Sequence, residues 1–374
     1  MRNFFKSCLL ILSLHLAFTG QSRAQLTTLP RGGNKKASVS EQIGITDIMI
    51  HYSRPGVKKR EGHIWGELIP VGFSELGYGA KKPAPWRAGA NENTTIEFTT
   101  DVKIEGHDLP AGKYGFFVAY DPGECTLIFS KNSTSWGNFF YDPAEDALRV
   151  KVKPVKTDIN VEWLKYEFAD QGPASATVQL QWEKLMITFK IDVDVVKTQL
   201  ASFRKELRGD RALPGSWQVW NQAAAYCAAN NTNLEEGLLW ADSSISLIFG
   251  GTGNFNAWQT KAAILDSLGR KAEAADAMKK ALPLADHIQG YTYGMSLIAA
   301  QRPKEAFEIF KMIYDKYPNT LFTNIGMASG YSALGDHKKA LTFALKALPQ
   351  ARGGNKIEIE RNIRDLQNDR DMNN

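Results

Sequence analysis

The first half of the chain alternates apolar and polar residues with the period of two that is typical of β-strands. In "LRVKVKPV", for example, Val150 and Val152 fall on one face and Lys151 and Lys153 on the other. Turn-forming stretches such as "DPGE" separate the segments, and no helical pattern intervenes. This arrangement predicts an antiparallel β-sandwich, with strands at 45–53, 94–98, 113–120, 125–130, 148–155, 161–168, 176–182 and 185–193.

Near residue 195 the pattern changes to a helical period, and it then repeats. Small residues recur at Gly237, Ala274, Ala306 and Ala340, with spacings of 37, 32 and 34 residues. A second small residue stands twelve positions before each of them, at Ala225, Ala262, Gly294 and Ala328. A repeat of about 34 residues made of two helices predicts a tetratricopeptide-like α-helical solenoid over 196–374. We expect a joining helix at 196–209 and a capping helix at 355–367.

The start of the chain has the pattern of a secretory signal peptide. Arg2 and Lys6 precede a short apolar run at 8–18, and Ser22 and Ala24 occupy the small-residue positions before a cut. The run is shorter than the roughly 20 residues that a spanning helix needs. We therefore expect residues 1–24 to be removed near Ala24, and an exported protein, periplasmic or extracellular, with no transmembrane segment. The β domain would then cover 25–195.

The balance of charge excludes one class of partner. Three of the 45 basic residues leave with the signal peptide, against 40 acidic residues, so the net charge of the remainder is about +2. The charged runs are short and of mixed sign, which argues against nucleic acid as a partner. Cys125 and Cys227 lie in segments of different character, so we expect two buried, reduced thiols rather than a disulfide framework.

Several motifs of the first half resemble an exported bacterial family that is catalogued as a domain of unknown function, number 2911. They are "HYSRPGVKKREGHIWGELIP" (51–70), "WRAGANENTTIEF" (86–98), "LPAGKYGFFV" (109–118) and "SWGNFFYDPAEDALRVKV" (135–152). The resemblance covers about residues 37–195, although "VGFSELGYGAKKPA" (71–84) makes one connection longer than is usual in that family. It implies an exported β domain, sometimes joined to helical repeats, and no particular function.

The densest group of candidate functional residues surrounds "WRAGANE" at 86–92. Arginine forks suit anionic groups, an indole ring can stack on a sugar, amide and carboxylate groups bind hydroxyls, and histidine titrates near neutral pH. We expect these residues to meet at one end of the sandwich, where the loop enters the strand at 94–98. The candidate ligand-binding residues are His51, Arg54, Trp86, Arg87, Asn91 and Glu92.

A purely structural interpretation of the same residues is also open. Arg87 pairs with Glu92 to pin the loop in that case, Asn91 holds a turn, and the tryptophans fill the core.

Two function classes follow from these observations. No metal-ligand spacing among the histidines, no Gly-x-Ser-x-Gly and no complete phosphate loop occurs in the sequence, so we predict no metal site and no cofactor. We favour an exported binding or scaffold protein whose repeats bind a protein or peptide partner, while the β domain binds a small anionic or sugar ligand. The alternative is a periplasmic hydrolase, with Glu92 or His51 as acid or base and the repeats as a docking module.

Overall fold

The computed structural model describes residues 33–75 and 79–373. The predicted signal peptide at 1–24 therefore lies outside the described residues. Within them, no helix is both long enough and apolar enough to cross a membrane. The chain divides into two compact units with their boundary between Thr198 and Gln199, and each unit is described separately.

The first unit is built from two antiparallel sheets. The larger sheet has the strand order β1-β2-β3-β6-β7-β8, and the smaller has the order β5-β4-β10-β9. The strands of the described residues are β1 (Lys35–Ile43), β2 (Thr46–Arg54), β3 (Thr94–Phe98), β4 (Val102–Ile104), β5 (His107–Leu109), β6 (Gly112–Ala119), β7 (Cys125–Ser130), β8 (Asp146–Val152), β9 (Val155–Ala169) and β10 (Ser175–Asp192).

A single apolar core lies between the two sheets. Phe116 and Phe129 project from the larger sheet, and their ring centroids lie 5.5 Å and 6.0 Å from that of Phe189 on the smaller one. Residues of both sheets belong to the same buried cluster, because every second side chain of a strand faces inward. The predicted antiparallel β-sandwich is thus confirmed.

The two predicted segments at 176–182 and 185–193 form one continuous strand, β10. Its alternation of buried and exposed residues changes phase at a bulge, where Trp182 and Glu183 are both buried. Glu183 has a φ of 53° and its carboxylate accepts a hydrogen bond from the Gly62 amide. In the sequence, two adjacent apolar and polar alternations that are out of step look like two strands. The prediction of separate strands at 176–182 and 185–193 was therefore wrong. The sequence patterns also missed β1, an edge strand made largely of polar residues.

The second unit is helical. The helices of the described residues are α1 (Val195–Glu206), α2 (Trp217–Ala229), α3 (Leu234–Ser244), α4 (Phe255–Ser267), α5 (Lys271–Ala281), α6 (His287–Ala299), α7 (Pro303–Lys316), α8 (Leu321–Ala333), α9 (His337–Ala347) and α10 (Gly353–Gln367). The first of these begins just before the unit boundary.

Helices α2 to α9 pair into four hairpins, and α10 packs on the last of them. Ala274, Ala306 and Ala340 are buried, as the repeat pattern predicts. The first hairpin differs, since Ala224 is buried there whereas Ala225 is only partly so. The α2–α3 connection is one residue longer than the equivalent connection in each of the other hairpins, which shifts the register of α2 by one position.

Glycines allow the third and fourth hairpins to interlock. The ring of Phe310, on α7, is buried between α6 and α8. A Cβ atom added to Gly294 on α6 would lie 2.2 Å from this ring, and one added to Gly326 on α8 would lie 2.7 Å from it. Close packing around one aromatic side chain therefore fixes three helices together.

Candidate functional site

The predicted site residues of the β unit lie around the loop that leads into β3. β2 and β3 pair with His51 opposite Thr95. Because the strands are antiparallel, the end of β2 at Arg54 and the start of β3 at Thr94 lie at the same end of the larger sheet. Loop 86–93 therefore stands at that end.

Arg87 holds the loop through neutral oxygen atoms. Its Nη1 donates to the backbone oxygen of Asn91 at 2.7 Å, and its Nη2 donates to Asn138 Oδ1 at 3.2 Å. The guanidinium also stacks on the ring of Phe139, 4.9 Å from the centroid. Asn91 adopts a left-handed φ of 60°, and its side chain accepts a hydrogen bond from Asn34. These contacts tie the loop to two other segments of the unit.

Glu92 pairs with a lysine of the neighbouring edge strand. Its Oε1 lies 2.7 Å from Lys36 Nζ on β1, and its Oε2 accepts a hydrogen bond of 3.5 Å from Ser53. The hydrogen bond from the Lys36 ammonium holds the pKa of the Glu92 carboxyl below its usual range. Glu92 is therefore a carboxylate at neutral pH.

Arg54 and His51 lie in different environments: Arg54 contacts the smaller sheet, and His51 is exposed. Arg54 Nε donates to the backbone oxygen of Leu164 on β9 at 2.9 Å, which links the larger sheet to the smaller one. His51 is exposed on the sheet, opposite Ser38 of β1 and Thr95 of β3. The structure thus places Arg54 at the same end as the loop, whereas His51 lies further along its strand.

The tryptophans divide between core and surface. Trp86 lies against Trp65 and Trp182, with ring centroids 5.5 Å and 6.1 Å away, and its indole nitrogen donates to the Gly89 oxygen. Trp136 is 54 % exposed. Trp65 and Trp86 therefore act as packing groups, and Trp136 offers a ring to solvent.

Two further residues organise the loop and were not among the candidate residues. The backbone oxygen of Ala88, which has a φ of 51°, accepts hydrogen bonds from Thr94 Oγ1 and from the buried Tyr166 hydroxyl. Asn138 is buried and donates to the Pro85 oxygen at 2.6 Å. Its position two residues after Trp136, in "SWGNFF", is the one feature that could have singled it out.

The chemistry available at this end of the sandwich is that of hydrogen bonding and charge. Within residues 33–75 and 79–373, no group of three or more His, Cys, Asp and Glu side chains could hold a metal ion. Where the pKa of a described carboxyl group is shifted, the shift is downward. Both cysteines of the described residues, Cys125 and Cys227, are buried free thiols, and burial raises the pKa of Cys227 to about 11.

A groove of about 780 Å³ lies in the helical unit, between the second hairpin (α4 and α5) and the third (α6 and α7). The two hairpins meet at the ends that lie away from their turns, where Asn256 receives a hydrogen bond from Gln289, and Lys316 donates to the Pro283 and Ala285 oxygens. A buried apolar cluster that includes Phe255, Ala281 and Ile313 joins the hairpins at the same ends.

Small and apolar residues make up much of the lining of the groove, and two ion pairs lie near the turns. Asp266 pairs with Lys271 at 2.7 Å, and Arg302 pairs with Glu305 at 2.6 Å, each within its own hairpin. Lys279 also lines the groove and forms no ion pair with any described residue. The lining includes Ala262, Ala263, Ala274, Ala275, Met278 and Leu297.

The first and second helices of the hairpins differ sharply in charge. The first helices, α2, α4, α6 and α8, are each 13 residues long. Together they carry two charged residues, Lys261 and Asp266, if histidine is counted as neutral. Each second helix carries at least three. Among the first helices, α2 packs beside α4 and α6 beside α8.

Comparison with known proteins separates the two units. Among solved structures, the chain is similar to YrrB, which is described as a TPR protein with an unusual peptide-binding site. The sequence identity is 16 %, the match covers 46 % of this chain and 88 % of that chain, and the TM-score is 0.30. A tetratricopeptide repeat protein from Parabacteroides merdae has 17 % identity, with 47 % and 72 % of the two chains covered and a TM-score of 0.31.

Sequence comparison with curated proteins gave no match. Residues 34–191 do match a family model, described as a protein of unknown function, DUF2911. The family resemblance expected for the first half is therefore confirmed, with boundaries close to the predicted ones. The β-sandwich unit of this chain thus matches the DUF2911 family model, and four tetratricopeptide-like hairpins follow it.

Proposed function

We propose that the protein is an exported scaffold whose helical unit binds a segment of a partner protein. The pattern of residues 1–24 supports export to the periplasm or the extracellular space. The absence of a complete catalytic constellation in the sequence favours binding over catalysis.

The distribution of charge in the hairpins is the observation that carries the proposal. A soluble protein has about one charged residue in four, whereas the first helices of the four hairpins have only Lys261 and Asp266. Three of these helices still keep exposed residues, such as Gln222, Asn256 and Ile288. Interface centres are depleted of charge in the same way, so the first helices present a surface suited to an uncharged stretch of a partner.

Site-specific photo-crosslinking tests the proposal. Ile288 lies on α6, the first helix of the third hairpin. A photoreactive phenylalanine derivative at this position should capture a discrete partner in cells that make the protein. The same derivative at the exposed Glu308 of α7 is the matched control on a second helix. Equal capture at both positions, or none at Ile288, would refute the assignment of the binding surface.

We also propose that the loop end of the β unit binds a small anionic or sugar ligand, with His51, Arg54, Trp86, Arg87, Asn91 and Glu92 as the candidate contacts. The half-exposed ring of Trp136, two residues from the Arg87 partner Asn138, supports this proposal. A ligand screen read out by quenching of tryptophan fluorescence tests it, with Trp136→Phe as the variant that should remove the signal.

The hydrolase alternative remains second. Lys36 lowers the pKa of Glu92, which leaves this group unsuited to act as a general acid near neutral pH.

A further inference from the structure

Two adjoining segments of the helical unit carry large apolar side chains on their outer side. One segment, 213–216, precedes α2, and the other, 245–250, follows α3. The backbone amide of Gly215 donates to the oxygen of Ile248 at 3.0 Å, so the two segments lie side by side. Together they form what we call the apolar tip.

Three large side chains of the apolar tip project into solvent. Leu213 is 58 % exposed, Leu247 is 90 % exposed and Ile248 is 67 % exposed. A side chain exposed to this degree has few protein atoms against it, so the surface is convex here. Single exposed apolar residues are normal on a protein, whereas several on adjoining segments mark an interaction site.

Hydrogen bonds and ring contacts hold the apolar tip in this conformation. The amide of Trp217 donates to the oxygen of Phe249 at 3.0 Å, and the ring centroids of Trp220 and Phe249 lie 5.0 Å apart. Thr252 Oγ1 donates to the oxygen of Ile245 at 2.7 Å. Because the backbone is already fixed, the apolar side chains can contact a partner without a further loss of backbone entropy.

The sequence around the apolar tip is free of charge and rich in tryptophan. Residues 212–234 and 243–260 contain no Asp, Glu, Lys or Arg, although 23 % of the chain is charged. The indole nitrogen of Trp258 donates to the Thr252 oxygen at 2.9 Å, and the ammonium of Lys280 lies 4.9 Å from the centroid of the same ring. Tryptophan is enriched where water meets hydrocarbon, because its ring is apolar and its N–H is polar. The tryptophans of the two stretches are Trp217, Trp220 and Trp258.

Basic residues stand at the borders of these stretches. Arg208 and Arg211 flank the single carboxylate of Asp210 shortly before Leu213. Arg208 and Lys280 are exposed and form no ion pair with any residue that the structure describes. Their charges are therefore available to anionic groups beside the apolar tip.

We propose that the apolar tip inserts into the surface of a phospholipid bilayer. Leu213, Leu247 and Ile248 enter the boundary of the acyl chains, and the neighbouring tryptophans lie at the level of the headgroups. Arg208 and Lys280 meet the phosphate groups. A bilayer accepts a convex apolar surface without a matching pocket, whereas a protein partner needs one. This peripheral contact is separate from the proposed scaffold function.

The expected affinity for lipid is modest. The three side chains together hold about as many carbons as a short acyl chain, and a single myristoyl chain binds vesicles with a constant on the order of 10⁴ M⁻¹. We expect a partition constant of about 10³–10⁴ M⁻¹ for phosphatidylcholine vesicles, and a value about tenfold higher when phosphatidylglycerol is included. Because the insertion is apolar, binding to phosphatidylcholine should persist in about 0.5 M sodium chloride.

Flotation of the full chain with vesicles tests the proposal. Ile248→Asp should lower the partition constant at least about tenfold, because it places a carboxylate among acyl chains. Leu247→Asp should have the same effect. Ile357→Asp is the matched control, since Ile357 on α10 is 70 % exposed and lies outside the apolar tip, and this variant should bind as the wild type does.

A fluorescent label reports whether the apolar tip enters the bilayer. Cys125 and Cys227 are buried, so Leu247→Cys supplies an accessible thiol for a dye whose emission depends on polarity. The emission at this position should shift to shorter wavelength when vesicles are added. The same dye on Ile357→Cys should keep the emission that it has in water.

Four results would overturn the proposal: no binding at lipid concentrations on the order of 10 mM, full binding by Ile248→Asp, no shift of the dye at Leu247→Cys, or binding that about 0.5 M sodium chloride abolishes. Other occupants of the apolar tip would be recognised directly. A second copy of the chain would give a concentration-dependent dimer in sedimentation velocity that Ile248→Asp abolishes. A protein partner would give a discrete photo-crosslink from Leu247 in the absence of vesicle binding. Either result in place of vesicle binding would equally refute the insertion.

Discussion

Gly294→Ala tests how tightly the third and fourth hairpins are packed. The added Cβ would lie 2.2 Å from Phe310 Cε1, 2.6 Å from Cζ and 2.8 Å from Cδ1. The ring also packs closely on α8, because a Cβ added to Gly326 or Gly330 would lie 2.7 Å or 3.0 Å from it, so it cannot move away easily. The change therefore forces a shift of α6 or of the ring.

The expected magnitude is the difference between two effects. Overpacking of a buried core costs about 1–3 kcal/mol, and three ring atoms within 3.0 Å place this site near the upper value. Alanine in place of glycine returns about 1 kcal/mol through its higher helix propensity. We expect the free energy of unfolding of the helical unit to fall by about 2 kcal/mol.

Urea unfolding followed by far-ultraviolet circular dichroism measures this change. Gly354→Ala is the matched control, because its added Cβ in α10 meets no atom within 4 Å, and it should be neutral or stabilising. In a Phe310→Leu background the cost of Gly294→Ala should shrink, since the clashing ring is gone. An unchanged or raised midpoint for Gly294→Ala in the wild type would refute the packing argument.

Three further results are expected. Proteolytic cleavage between residues 194 and 212 should release two folded pieces, and circular dichroism of the first should show sheet; substantial helix in it would contradict the division. Arg87→Lys should lower the melting temperature, because one ammonium cannot replace the two-armed bonding of the loop; an unchanged melting temperature would favour a ligand-binding function for Arg87. Lys36→Gln should raise the pKa of Glu92 in an NMR titration. Since that pKa is lowered in the folded protein, the stability from this pair is present near neutral pH and is lost as pH falls through the folded pKa. A Glu92 pKa unmoved by Lys36→Gln would exclude the pair as the cause.

Local periodicity predicted much of the fold, and it failed where a long-range constraint acts. The strand at 94–98 agrees with β3 because its inward residues, Ile96 and Phe98, reveal their face directly. In β10, the bulge at Glu183 changes which alternate residues face the core. The sequence pattern therefore predicted two strands where the structure has one. The extra residue between α2 and α3 likewise moved the buried alanine from Ala225 to Ala224, a shift that a search for equal spacings cannot detect.

The candidate site was less accessible to sequence reasoning, because its contacts join distant segments. The loop residues were identified, but the interpretation of Arg87 as the partner of Glu92 did not foresee Lys36. That lysine lies on β1, whose polar composition hides a strand stabilised by pairing with β2. Asn138 approaches Arg87 from 51 residues away. No local pattern encodes such a distance.

The packing between neighbouring hairpins is uneven, and this affects the cooperativity of unfolding. In a repeat protein, the coupling between neighbouring units decides how many of them unfold together. Helix α8 of the fourth hairpin packs closely on both α6 and α7 of the third, whereas no described helix of the second hairpin packs as closely on a helix of the third. The second and third hairpins are joined by the buried cluster of Phe255, Ala281, Ala285 and Ile313, and the groove lies beside it. Hydrogen exchange should therefore report at least two cooperative blocks, with α4 and α5 opening at a lower free energy than α6 to α9. The junction beside the groove is in this way the place where we expect the array of hairpins to separate without unfolding as a whole.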